Sequence, residues 1–172
     1  MAVAPGDINF YLSGGASNAD PNASLGGQVS NSDIPSATPE NLFGNVQADD
    51  AVSGITDYRC FYVKNENLTD TLSITVVWIA AQTSSADTAV EIGVDPAGVG
   101  DGTTTGVAVS IPDEVTPPAG VTFSAPASAS SGLPVGDLGP GQMAAIWVKR
   151  VVNPDAAITG LDDFRLGIRG VS

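Results

Sequence analysis

The chain has 172 residues, of which 42% are hydrophobic, and it sets 19 acidic side chains against 6 basic ones for a formal net charge of −13. That is enough apolar material for one domain with a real core, and an acidic field that repels phosphate backbones and anionic lipid, which excludes nucleic-acid and membrane partners. With no histidine and a single cysteine, Cys60, the chain lacks Ser-His-Asp and Cys-His dyads and thiolate zinc sites, so neither catalysis nor a metal or cofactor is expected.

The first residues hold no basic segment followed by a long apolar run, so no export signal is read there and synthesis in a cytosol is expected. Residues 8–12 form a short apolar strand with Ile8, Phe10 and Leu12 on one face. The segment that follows, 13–36, contains Gly14, Gly15, Gly26 and Gly27 and is too long for a compact hairpin. Residues 1–30 are therefore expected to be an extended arm or large loop, and residues 31–172 the folded domain. An unpaired apolar strand is a template for a partner's sheet, which makes Ile8, Phe10 and Leu12 candidate partner-binding residues. Asn18, Asp20, Asn22 and Ser24 place oxygens at every second position. The glycine falls in the wrong place for a calcium loop and no glutamate follows at the required distance, so Asx turns are the reading. Residues 39–43 are the one stretch suited to a helical turn, with Thr38 as its cap. Asp49 and Asp50, like Asp162 and Asp163, are adjacent carboxylates with nothing to bring the two pairs together for acid–base work.

Residues 58–64 are apolar on both faces, which predicts the centre of a sheet with Cys60 as a buried thiol. Between 72 and 80, Leu72, Ile74, Val76 and Trp78 share one face and Ser73 and Thr75 the other, predicting a half-buried strand with Trp78 in the core. Val90, Ile92 and Val94 alternate up to Asp95 and Pro96, and the glycine-rich residues 95–102 read as a loop without the lysine of a phosphate loop. Weaker strands are read at 104–111 and 121–124, and a long one at 143–152 containing Trp147. Phe164, Leu166 and Ile168 alternate with Arg165, Gly167 and Arg169 in a closing strand. Short strands separated by turn residues predict an all-β fold, an antiparallel β-sandwich of immunoglobulin-like or jelly-roll type, with under about 10% helix. If Phe164, Leu166 and Ile168 face the core, Arg165 and Arg169 project outward together. With Lys149, they are either solvated charges paired to nearby acids or a docking stripe for an acidic partner.

The segment Leu138-Gly139-Pro140-Gly141 and the alternating apolar run through Trp147 resemble a signature of bacterial and viral immunoglobulin-like domains. Tyr58-Arg59-Cys60-Phe61-Tyr62-Val63-Lys64-Asn65, followed by residues 72–79, is similar to the paired strands that precede it there. Phe10-Tyr11-Leu12-Ser13-Gly14-Gly15, residues 57–65, Gly120-Val121-Thr122-Phe123-Ser124-Ala125-Pro126 and Ile146-Trp147-Val148-Lys149-Arg150 resemble pieces of virion structural proteins encoded by tailed bacteriophages. This second resemblance implies a capsid decoration, or cement, protein on the head surface, bound to the major capsid protein and to neighbouring copies of itself as a homo-oligomer on the particle. It implies no catalytic residues. A tail, baseplate or fibre component is the alternative within the virion class. Outside it stands a carbohydrate-binding module, with Trp78, Trp147 or Tyr11 as a stacking platform.

Overall fold

A computed structural model describes residues 2–157 and 162–172. Two antiparallel sheets pack into a β-sandwich, built from β1 (Ile8–Ser13), β2 (Val29–Asp33), β3 (Ile55–Asn65), β4 (Leu72–Ala81), β5 (Thr88–Gly100), β6 (Leu133–Leu138), β7 (Met143–Val152) and β8 (Arg165–Val171). The larger sheet has the order β2-β1-β3-β7-β5 and the smaller one the order β6-β4-β8. The one α-helix among the described residues, α1 (Ala48–Ser53), lies downstream of the turn expected at 39–43.

Apolar alternation explains how the layers meet. Phe61 and Val63 of β3 and Ile146 and Val148 of β7 face Val77 and Ile79 of β4 and Leu138 of β6, all nearly inaccessible. The opposite faces of β3 and β7 are apolar too: Tyr58, Cys60, Tyr62 and Trp147 form a second core. It is roofed by chain segments that contribute Leu25, Ala108, Val109, Ile111, Val121 and Phe123. Close approach is needed there. Gly26 sits at φ +84°, and a Cβ on it would stand 1.8 Å from the Val109 carbonyl oxygen. Tyr62 binds the roof at both ends of its hydroxyl, donating to the Gly27 oxygen at 2.5 Å and accepting from the Ala108 amide at 2.9 Å. Cys60 lies fully buried, and burial pushes its thiol well above the usual range, so it stays a protonated apolar filler.

Within the expected arm, 1–30, the described residues 2–30 do not extend away from the domain. Strand β1 is an interior strand of the larger sheet, paired with β2 on one side and with β3 on the other in the register Ile8↔Asn65 to Leu12↔Phe61. Phe10 packs edge-on to Phe61 with ring centroids 5.8 Å apart, and Leu12 is buried. The glycine-rich segment after β1 bends back on itself instead of reaching away: the Gly14 and Gly15 amides both bond to the Gln28 oxygen at 2.9 Å. The reason is that β1 gains main-chain bonds on both edges within the same chain, so nothing is left to template a neighbour.

The segments 104–111 and 121–124 are not strands; each makes one isolated bridge, Gly27↔Ala108 and Ile92↔Ser124. Conversely, β5 runs past Asp95 to Gly100, its register with β7 shifting between Val94 and Val99.

Candidate functional site

Strand β4 carries the feature that decides which surface is available. Ile74 has φ +51°, a left-handed value that crowds a β-branched side chain. Its amide donates to the Asp137 carboxylate at 2.7 Å, and the Thr75 hydroxyl donates to the Leu72 carbonyl at 2.8 Å. Leu72 pairs with Leu138 but Thr75 pairs with Gly136, and Ser73 pairs with Val171 but Val76 pairs with Arg169. One extra residue is therefore present in β4 relative to both neighbours, which is a β-bulge.

The bulge reverses the phase of the strand. Leu72 points inward, but beyond it Thr75, Val77 and Ile79 are the buried residues, and Ile74, Val76 and Trp78 face out. Trp78, expected in the core, is half-buried on the outer face. Its indole lies over Gly167 of β8, where an added Cβ would meet the ring at 2.3 Å. Ile74 is 73% exposed and Val171 58%. The register Val76↔Arg169 and Trp78↔Gly167 puts Arg169 beside these apolar side chains, and Arg165 follows two residues before Gly167 on the same outward face. Replacing Ile74 with asparagine, which tolerates the left-handed conformation, is expected to raise stability by about 1 kcal/mol. Thermal unfolding checks this, and a lowered midpoint contradicts it.

The charges on this face differ from the other four basic side chains, all among the described residues. Arg59 pairs with Glu114, Lys64 with Glu66 at 3.3 Å, Lys149 with Glu91 at 2.8 Å and Arg150 with Asp57 at 2.6 Å. Among the described residues, Arg165 and Arg169 are exposed and have no carboxylate partner. A chain of net charge −13 thus leaves two guanidiniums unneutralised, and both stand on one apolar face.

The candidate residues separate accordingly. Arg165 and Arg169 come together as the alternation predicts. Lys149 lies on the larger sheet, satisfied by the cross-strand Glu91, and is not part of their stripe. Ile8, Phe10 and Leu12 serve the inner core. Trp147 is fully buried and cannot stack on a sugar; its Nε1 donates to Asp95 at 2.8 Å. The Tyr11 hydroxyl donates to Glu66 at 2.5 Å, which with partial burial raises it to about 12, and Asn9 and Lys64 bind the same carboxylate. Ile74, Val76 and Trp78 as surface residues were missed. The available signal was the run Val76, Val77, Trp78, Ile79, which is apolar on both faces.

Other clusters close on themselves. Asn18 and Asp20 form Asx turns, accepting from the Asp20 and Asn22 amides at 2.9 Å. Asp101 accepts from Thr103, Thr104 and Thr105, and these bonds hold its carboxyl well below the usual range. Asp162 binds Ser84, Ser85 and Thr88 and is lowered by those bonds against a partial burial penalty. Among the described residues no three acidic or cysteine side chains gather as a metal cluster. A shallow depression lined by Lys64, Glu66, Asn67, Leu68, Pro140 and Gly141 holds no nucleophile–base pair. Comparison with protein-family models, curated protein sequences and solved structures finds no match to this chain.

Proposed function

We propose that this chain is a structural protein of a tailed-bacteriophage particle, a decoration protein that sits on the head surface and binds the major capsid protein and neighbouring copies of itself. The observation that carries this reading is the outer face of the smaller sheet, where Trp78, Ile74 and Val76 lie beside the two arginines that have no acid of their own. Aromatic and arginine side chains on an apolar patch are the composition of a binding hot spot. The resemblance to virion proteins supplies the setting. A protein that binds only the assembled shell adds its binding free energy to the stability of the shell, so many weak copies suffice. The strongly acidic remainder keeps such copies soluble and apart before loading.

The test is quantitative densitometry of purified particles together with loading of purified protein onto undecorated heads. Hundreds of copies per particle are expected, and Trp78→Ala is expected to weaken loading by about 30-fold or more while leaving the fold intact. A handful of copies places the chain in the tail, and its absence from particles overturns the reading. The carbohydrate-binding alternative keeps one support, the outward Trp78 over Gly167. A glycan array bound through Trp78, with no particle loading, favours it instead.

A further inference from the structure

Four strand edges border the two sheets; two of them are covered, and a third is interrupted by a proline. The free edge of β2 is covered by loop backbone, with the Val29 amide donating to the Gly102 oxygen and the Asn31 amide to the Ala16 oxygen. The free edge of β5 is bridged by Ser124 at Ile92 and clamped at Val90 by both ends of the Gln82 amide, at 2.7 and 3.0 Å. Strand β6 carries Pro134, which has no N–H, and its register with β4 shifts twice. Strand β8 differs. It is 7 residues long without proline, and among the described residues its backbone bonds only to β4.

Its side chains are arranged in two rows. Leu166 and Ile168 face inward, half-buried against the core. Arg165, Gly167 and Arg169 face outward, with the two guanidiniums four residues apart, about 13 Å along a strand. Between them the Trp78 indole lies over Gly167, in the space a side chain there would take.

We propose that the open edge of β8 is a strand-addition site for an extended acidic segment of a partner protein: two carboxylates four residues apart, apolar residues just inside each, and a larger side chain between. Laid beside β8, such a segment sets its carboxylates next to Arg165 and Arg169 and its apolar residues next to Leu166 and Ile168. Its central side chain lies opposite Gly167, against Trp78. Main-chain bonds supply affinity and the alternating side chains supply selection. A second copy of this chain is the wrong occupant, because two paired β8 strands crowd four guanidiniums onto one face, and like charges across a strand pair repel. The inference rests on the reading of the outer small-sheet face as the docking surface and names the chemistry of what docks there.

The probe is a synthetic nonapeptide with two glutamates four residues apart, valines just inside them and a tyrosine at the centre, titrated into the full chain. Binding is followed by fluorescence anisotropy and by hydrogen exchange of the β8 amides. The glutamate peptide is expected to bind and protect β8, and its lysine counterpart to bind at least tenfold more weakly. In the double variant Arg165→Glu, Arg169→Glu, whose exposed positions leave the melting temperature unchanged, the preference is expected to reverse toward the lysine peptide. No binding at millimolar peptide, equal binding of both peptides, or concentration-dependent dimers with protected β8 amides each overturn the inference. Particle loading without peptide capture overturns it and leaves the proposed function standing. Peptide capture by a protein that never loads onto heads supports it and overturns the function.

Discussion

Asp57→Ala is expected to lower the stability of the protein by about 3–5 kcal/mol and its melting temperature by roughly 10 °C. Asp57 is 1% exposed and accepts from Arg150 through both oxygens, at 3.1 Å from Nε and 2.6 Å from Nη2. The pair lies on the inner face of the larger sheet, at Asp57↔Arg150 in the register of β3 and β7. Around it, the Phe43 ring stands 4.6 Å from the Arg150 guanidinium and 5.5 Å from that of Arg59, and the Gly44 oxygen accepts from Arg150 at 2.9 Å. Removing the carboxylate leaves a mostly buried cation with one carbonyl and one ring face. The loss therefore measures the stranding of Arg150 more than the worth of the pair. The double variant Asp57→Leu, Arg150→Met removes both charges and is expected to recover most of the stability. Urea unfolding followed by circular dichroism checks both. A loss under about 1 kcal/mol for the single variant, or a double variant no better than the single, contradicts this account.

The second large effect is expected at Asp95, on the other side of the same sheet. Its carboxylate is 3% exposed and accepts from Trp147 Nε1 at 2.8 Å, from the Ala97 amide at 2.9 Å and from the Val109 amide at 3.1 Å. One side chain thus joins the widened part of β5, the central tryptophan of β7 and the chain that roofs the second core. Asp95→Ala leaves the buried Trp147 Nε1 and two partly buried amides without their acceptor, and is expected to cost about 3 kcal/mol, since each stranded group costs about 1–3 kcal/mol and water recovers part. Asp95→Asn retains a carbonyl oxygen for Trp147 and is expected to cost about half as much. In a Trp78→Phe background the fluorescence reports Trp147 alone, and its emission is expected to shift to the red in the alanine variant. Unchanged emission and stability together show that the roof does not depend on this carboxylate.

These two residues also mark the boundary between what is written locally and what is not. The sandwich class and the outward placement of Arg165 and Arg169 on one face follow from period-2 alternation, and the central place of β3, the burial of Cys60 and Trp147 and the bounds of β7 from runs that are apolar on both faces; neighbouring residues carry both patterns by themselves. The insertion of β1 between β2 and β3 depends on pairing Ile8 with Asn65 and Leu12 with Phe61, and backbone hydrogen bonds leave no trace in side-chain order. Strand β2, from Val29 to Asp33, is mostly polar, and its place at the sheet edge comes from β1. The direction of Trp78 is the sharpest case. Alternation in β4 sets the spacing of its apolar residues, but their phase turns on one extra residue at Ile74. The bulge is held by Asp137, 63 residues away along the chain. A strand tells its period through its own sequence. Which face meets the core is decided by bonds to residues far along the chain, because a shift of one residue exchanges the two faces of a strand.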